Sequence, residues 1–102
     1  MLYLKIHNTE SGDILAMCDS ALTGRVLSED EVEINLKDYS EFYIGRLMDP
    51  EGAHALIKST RIMTANIVGE ESVRVALKSG IIKRGHVKRV MGVPYANSFR
   101  VR

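Results

Sequence analysis

The residues of this 102-residue chain that are best suited to binding chemistry are basic side chains near its C-terminal end. Clustered lysine and arginine side chains attract a polyanion and bind its phosphates in a salt-dependent way. The cluster therefore predicts a surface that contacts nucleic acid. The predicted contact residues are Lys83, Arg84, His86, Lys88, Arg89, Arg100 and Arg102.

The charges of the chain are separated along its length. All 13 acidic residues lie at or before Glu71, together with six basic residues, so this part carries a net charge of −7. From Ser72 onward there are eight basic residues and no acidic one, although the whole chain carries only +1. Such asymmetry indicates an anionic partner for one end of the molecule. The alternative is that the basic side chains pair with the carboxylates across the folded surface.

Cys18 is a candidate nucleophile if a base such as His7, His54 or His86 lies beside it. The neighbouring carboxylate of Asp19 works against thiolate formation, and a single cysteine is usually a small buried hydrophobic residue. We therefore expect a structural thiol and predict no catalytic residue. A small enzyme remains the third hypothesis, behind two non-enzymatic ones.

Neither a metal site nor a cofactor site is predicted. The three histidines are more than thirty residues apart, and one cysteine excludes the usual zinc frameworks. The acidic run at 29–33 lacks the glycine and the alternating oxygen ligands of a calcium loop, so we expect a solvated face.

Asn66 and Gly69 lie where a strand is expected to lead into a helix. The free N–H groups at such a helix start can bind an anion. The segment lacks a glycine-rich phosphate-binding motif, however, and Glu70 and Glu71 would repel a phosphate. We therefore expect Asn66 and Gly69 to shape this corner of the backbone.

Size and composition predict one domain, residues 1–102. The chain is 45% hydrophobic and 26% charged, and it contains only two prolines, so it is expected to form a real core. Its uncharged runs are too short to cross a bilayer, and the N-terminus lacks the layout of a signal peptide. With one cysteine, these features predict a cytoplasmic protein that does not engage a membrane.

The first half of the chain reads mainly as strands. Alternating apolar residues predict a strand over 2–7, and a returning strand over 14–18 follows a cluster of turn formers. A third strand with one exposed face is predicted over 32–37. A short extended segment is predicted over 42–45.

The second half contains two predicted helices. Asp49 and Pro50 mark the start of the first helix, which should end near Ser59. After a buried strand over 62–68, a second helix should bury a stripe of Val73, Ala76 and Leu77 and end at 79–80. A last strand is predicted over 86–91, then a turn over 92–97 and a basic tail that could pair with a sheet edge. The fold class is α+β, a single compact domain with a small mixed β-sheet and two helices packed on one face.

Four segments together resemble a small archaeal family catalogued as domain of unknown function 424. They are the opening 2–7, the stretch with Cys18, Asp19, Leu22 and Gly24, the segment 64–70, and the segment 92–97. The resemblance implies a cytoplasmic archaeal protein and no particular reaction. Members have Phe-Tyr-Gly-Gly where this chain has 42–45, and often His and Gln at the positions of Tyr95 and Asn97. The family-motif residues are Cys18, Asp19, Asn66, Gly69, Gly92, Pro94, Tyr95 and Asn97.

Two functions are consistent with these observations. The first is a non-enzymatic binding module that contacts RNA or a ribonucleoprotein through the basic C-terminal third. The second is a protein–protein adaptor, or a self-associating structural protein, whose acidic and basic halves engage different partners or a second copy. Contiguous, unpaired basic side chains in the folded protein would favour the first.

Overall fold

Eight strands and three short helices form residues 1–99, the part of the chain that this computed structural model describes. Arg100 and Arg102, two of the predicted contact residues, lie outside it. Short 3-10 turns at Ser20–Leu22 and Arg84–His86 join some of the elements. The elements are β1 (Leu2–Thr9), β2 (Gly12–Asp19), β3 (Val26–Glu29), β4 (Val32–Asn35), α1 (Ser40–Tyr43), β5 (Arg46–Met48), α2 (Pro50–Lys58), β6 (Ile62–Val68), α3 (Glu70–Lys78), β7 (Lys88–Val90) and β8 (Val93–Phe99).

Six of the strands form one mixed sheet in the order β5-β1-β2-β6-β8-β7. β2 and β6 run parallel, and the other neighbouring strands run antiparallel. β3 and β4 form a separate two-stranded hairpin. The predicted α+β class with a mixed sheet is confirmed.

The hairpin of β1 and β2 supplies much of the main core. Leu2 and Leu4 of β1 and Leu15 and Met17 of β2 are buried in one apolar cluster with residues of α2 and α3. These four side chains share a face because side chains alternate along a strand and pair across it. The period-2 pattern in the sequence is therefore confirmed here.

The two longer helices begin and end close to where the sequence predicts. The Asp49 carboxylate accepts a hydrogen bond from the Gly52 N–H at 2.8 Å and caps α2, with Pro50 in the first turn. α3 ends at Lys78, and Gly80 adopts a φ of 76°, the left-handed conformation that glycine allows at a helix end. Both helices cover the face of the sheet that carries Leu4 and Met17.

The opposite face is covered by the β3–β4 hairpin and α1 over a second, smaller core. Cys18 and Val68 of the sheet pack there with Leu27 and Leu36. The third predicted strand exists as β4, but it pairs with β3 and does not join the main sheet. The predicted extended segment at 42–45 is wrong, because Ser40–Tyr43 forms a helical turn that directs Tyr43 into the second core.

The C-terminal segment differs most from the prediction. Met91 and Gly92 have φ values of 51° and 78° and form a two-residue loop between the paired residues Val90 and Val93. Two successive positive φ values are typical of the tight hairpin turns whose twist matches that of the strands. The predicted turn over 92–97 is therefore wrong: the turn ends at Gly92, and the following residues form β8, an inner strand between β6 and β7.

Candidate nucleic-acid interface

Five of the predicted contact residues lie at one outer edge of the main sheet. β7 is the edge strand, and the 3-10 turn Arg84–His86 precedes it. A turn and an edge strand leave long side chains free to extend into solvent. The residues brought together there, all exposed, are Lys83, Arg84, His86, Lys88 and Arg89.

Lys88 and Arg89 point to opposite faces of the sheet, as neighbours in a strand must. Lys88 pairs with Tyr95 of β8, and Arg89 pairs with Pro94. Arg89 lies on the side of α3, since it and Pro94 border the same groove as that helix. The basic side chains therefore surround the sheet edge and do not form a single flat strip.

Three arginines converge on this groove, which has a volume of about 340 Å³. Arg74 reaches it from the exposed side of α3, Arg84 from the 3-10 turn and Arg89 from β7. The apolar part of the lining is Val73, Leu77, Val87 and Pro94.

Arg74 was not among the predicted contact residues. It joins the groove only because α3 packs beside β8, and nothing in its local sequence signals that contact. We call Arg74, Lys83, Arg84, His86, Lys88 and Arg89 the basic edge.

One carboxylate also borders the groove. Arg89 Nη1 lies 3.4 Å from Glu70 Oε1 and donates a hydrogen bond to the Gly92 carbonyl oxygen at 2.8 Å. The Arg89 and Glu70 side chains are 59% and 62% exposed, so water screens this pair and it contributes little. Within residues 1–99, Lys83 and Arg84 make no ion pair. The basic edge is therefore largely free of internal carboxylates.

A second groove, of about 500 Å³, continues around the end of the basic edge. Lys83 and His86 line it together with Phe99, whose side chain is 76% exposed. The Lys83 N–H donates a hydrogen bond to His86 Nδ1 at 3.0 Å, which fixes the orientation of the imidazole ring. An exposed aromatic ring beside basic groups can stack on a nucleobase.

The acidic residues at 29–33 lie elsewhere, on the β3–β4 hairpin, and their side chains are exposed as predicted. This hairpin covers the face of the sheet opposite α2 and α3. Its strand β3 packs beside β7, with Leu27 and Val90 in the same core, and the Glu29 carboxylate accepts a hydrogen bond from the Met91 N–H in the β7–β8 turn. The charge separation along the sequence thus becomes a separation between two surfaces.

The start of α3 is occupied by a carboxylate from the chain itself. Asp19, at the end of β2, accepts hydrogen bonds from the N–H groups of Glu71 at 3.0 Å and Ser72 at 2.8 Å, and from the Ser72 hydroxyl at 2.8 Å. Gly69 makes room for it, because a Cβ on Gly69 would overlap the Asp19 carboxylate group. The φ of Gly69 is 112°, so glycine is also required conformationally. The internal carboxylate takes the position that an external anion would need.

Cys18 is fully buried, and its Sγ donates a hydrogen bond to the Asp19 carbonyl oxygen at 3.3 Å. Burial, and secondly the negative charge of Asp19, raises the pKa of the Cys18 thiol to about 12. It is therefore protonated at neutral pH and a poor nucleophile.

The histidines have other partners. His7 stacks on Phe42 with ring centroids 4.6 Å apart. Its cross-strand partner on β2 is Ile14, which lies about 13 Å along that strand from Cys18. His54 Nδ1 lies 2.8 Å from the Ser79 hydroxyl.

The remaining family-motif residues fall in two places. Gly92 forms the β7–β8 turn, and Pro94 follows it in β8 beside the arginine groove. Asn66, Tyr95 and Asn97 lie on the opposite face and border a cleft below the β3–β4 hairpin. Asn66 thus lies three residues before the corner at Gly69 and faces this cleft.

Residues 1–99 carry neither a clustered metal-ligand set nor a membrane-spanning helix. This part of the chain contains no group of three His, Cys, Asp or Glu side chains that could hold a metal ion. None of its helices is long and apolar enough to cross a membrane.

Comparison with known proteins gives a family and a fold. The chain matches no curated protein. It is similar to a crystal structure of an uncharacterized conserved protein from Methanopyrus kandleri, with 24% sequence identity and a TM-score of 0.83 over 97% of this chain and 90% of that one. The family described as "Protein of unknown function (DUF424)" matches residues 6–101, almost the whole sequence. The chain therefore belongs to this family.

Proposed function

We propose that this protein is a non-enzymatic binding module that contacts RNA, alone or in a ribonucleoprotein, through its basic edge. The observation that carries the proposal is the convergence of Arg74, Arg84 and Arg89 on one groove, where Glu70 is the one carboxylate among the described lining residues. A guanidinium group presents its N–H donors in a planar fork that matches phosphate oxygens.

The surroundings of the groove favour RNA over a small anion. The basic side chains continue past the groove to Lys83 on one side and Lys88 on the other, a longer surface than one phosphate group requires. Phe99 adds an exposed ring at the end of this surface. Unpaired bases that stack on aromatic rings are the usual targets of sequence-specific RNA recognition, and backbone phosphates supply most of the affinity.

The test is binding of a fluorescent RNA hairpin with a single-stranded extension, measured by anisotropy over a range of salt concentrations. The variant Lys83→Glu/Arg84→Glu/Lys88→Glu changes three exposed side chains that make no ion pair within residues 1–99. Arg89 is kept, because its hydrogen bond to the Gly92 carbonyl oxygen supports the β7–β8 turn. The matched control, Lys37→Glu/Lys58→Glu/Arg61→Glu, changes the net charge equally at exposed sites away from the basic edge.

We expect the first variant to lose binding by tenfold or more, on the order of what several phosphate contacts contribute, while the control binds almost as well as the wild type. In a plot of the logarithm of the binding constant against the logarithm of the salt concentration, the slope of the wild type should be steeper than that of the first variant. The difference should be roughly 0.9 for each phosphate contact that the variant loses, if the contacted part of the RNA is double-stranded. Equal losses in both variants would mean that only net charge matters, and no binding at low ionic strength would refute the proposal. Circular dichroism shows whether each variant is folded.

The second candidate function is a protein–protein adaptor or a self-associating structural protein. The observation that favours it is the separation of acidic and basic side chains onto two surfaces, since the acidic hairpin of one copy could meet the basic edge of another. Self-association by this route should disappear as salt is added, which light scattering coupled to gel filtration measures. For either function we propose a cytoplasmic location, in keeping with the free thiol of Cys18.

A further inference from the structure

A cleft of about 730 Å³ opens on the side of the sheet opposite α2 and α3. The sheet contributes Asn66 and Val68 from β6 and Tyr95 and Asn97 from β8. The β3–β4 hairpin and α1 form its walls. This volume lies within the range of ligand-binding clefts.

Two unpartnered amide side chains lie next to each other in this cleft. Asn66 and Asn97 are direct cross-strand partners, so their side chains lie side by side on the same face. Within residues 1–99, neither side chain makes a hydrogen bond to another part of the protein. Two carboxamide groups thus offer both donors and acceptors to a ligand.

The rest of the lining is acidic and aromatic. Glu31 and Glu33 of the hairpin border the cleft and make no ion pair with a described residue. Tyr39 is 65% exposed at the rim, and Tyr95 lies on the floor. No lysine or arginine is among the described lining residues, although Lys88 lies one strand away, opposite Tyr95.

Burial, and secondly Cys18, raises the pKa of Tyr43 in the same cleft to about 12, so its phenol is neutral at neutral pH. The charges that this lining presents to a ligand at neutral pH are therefore those of the two carboxylates.

We propose that this cleft binds an arginine-bearing segment of a partner protein. A guanidinium group is planar and cationic, with five N–H donors. The carboxylates of Glu31 and Glu33 and the amide oxygens of Asn66 and Asn97 can accept from it, and a tyrosine ring can stack on its face. A phosphate or carboxylate ligand would instead meet two like charges and no cation.

The size of the cleft selects a peptide over a free small cation. Its volume is several times that of a guanidinium group, on the order of a drug-sized ligand, so it has room for the residues on either side of an arginine. The amides of Asn66 and Asn97 can also pair with the backbone of such a segment. This inference does not depend on the arginine groove, which lies on the other side of the sheet. The cleft does adjoin the basic edge at Asn97, which also borders the groove lined by Lys83 and His86.

The test uses a short, otherwise neutral peptide with one central arginine, and calorimetry to measure binding. A peptide with citrulline in place of arginine is the first control, because it keeps the shape and loses the charge. The protein variant is Glu31→Gln/Glu33→Gln. Its matched control, Glu10→Gln/Glu51→Gln, removes the same charge at exposed sites that do not line the cleft.

We expect the arginine peptide to bind the wild type and the control variant equally. The variant Glu31→Gln/Glu33→Gln should bind the arginine peptide about tenfold or more weakly, as loss of a charge-assisted hydrogen bond implies. The wild type should bind the citrulline peptide more weakly by a similar factor. Asn66→Ala/Asn97→Ala should also weaken binding of the arginine peptide. The basic-edge variant Lys83→Glu/Arg84→Glu/Lys88→Glu should abolish RNA binding without weakening binding of this peptide, since it removes only positive charge from the neighbourhood of the cleft, and this difference separates the two proposals.

Three results would overturn the proposal. The first is equal binding of the arginine and citrulline peptides. The second is competition by spermidine at the same concentration as the peptide, which would identify the cleft as a site for small polyamines. The third is a wild-type dimer that dissociates in Glu31→Gln/Glu33→Gln, which would place a second copy of the chain in the cleft.

Discussion

Cys18 should make the fold less stable at alkaline pH. In the folded protein burial, and secondly Asp19, raises the pKa of the thiol from 9.0 to about 12. Above pH 9 the unfolded chain loses this proton and the folded protein keeps it, so the free energy of unfolding falls as pH rises. Tyr43, whose pKa is raised from 10.0 to about 12, adds a loss of the same sign above pH 10.

Urea unfolding between pH 9 and pH 10 tests this. The wild type should lose stability across that interval, by up to about 1.4 kcal/mol per pH unit for one proton. Cys18→Ala should be less stable at pH 8, because it leaves a cavity in the second core, but its stability should fall less steeply. The same slope in both proteins would mean that the thiol titrates normally.

At the scale of elements, the start of α3 depends on a cap supplied by β2. Asp19→Ala removes the acceptor of three hydrogen bonds and should cost about 0.5–2 kcal/mol. Gly69→Ala should cost more, because its Cβ would displace the Asp19 carboxylate and the backbone φ of 112° disfavours alanine.

The two changes should not be additive. Once Asp19 is alanine, the collision is relieved, so Gly69→Ala should cost less in that background than in the wild type. Chemical denaturation of the four proteins of this cycle measures the difference. Strict additivity would show that Gly69 is needed for its backbone conformation alone.

Local sequence signals predicted those elements whose pattern is complete within a few residues. Alternation at Leu2, Leu4 and Ile6 identified β1, and Asp49-Pro50 identified the start of α2. The cap of α3 could not be found in this way. A capping residue is normally sought directly before its helix, whereas Asp19 and Ser72 are 53 positions apart in the chain.

β8 was missed because Pro94 argues against an inner strand. In the structure, Val90 and Val93 flank the turn, and the next pair along the hairpin is Arg89 with Pro94. The pairing of β8 with β6 begins one residue later, at Tyr95. Alternating pairs in an antiparallel hairpin place the Pro94 nitrogen away from β7, so its missing N–H costs no hydrogen bond there. The candidate site was predictable in part: the local basic run was visible in the sequence, and Arg74 was not.

The whole molecule places a basic edge and an acidic hairpin within one small volume of 35 × 28 × 27 Å. The hairpin carries the exposed run at 29–33 and covers the face of the sheet opposite the arginine groove. A polyanion at the basic edge would still experience their field when screening is weak, because electrostatic interactions extend over about 30 Å at 0.01 M ionic strength. At about 0.15 M the screening length is only about 8 Å, shorter than the molecule is wide.

Glu31→Gln/Glu33→Gln should therefore strengthen RNA binding in a salt-dependent way. At about 0.01 M ionic strength the removal of two repulsive charges should raise the affinity severalfold, and at about 0.15 M it should change it little. Glu10→Gln/Glu51→Gln serves as the control for net charge, in the same anisotropy measurement. An increase of equal size at both ionic strengths would place RNA in contact with the hairpin itself. No increase at low salt would mean that the anionic partner does not bind at the basic edge, because two charges within the screening length of that surface must affect a polyanion bound to it.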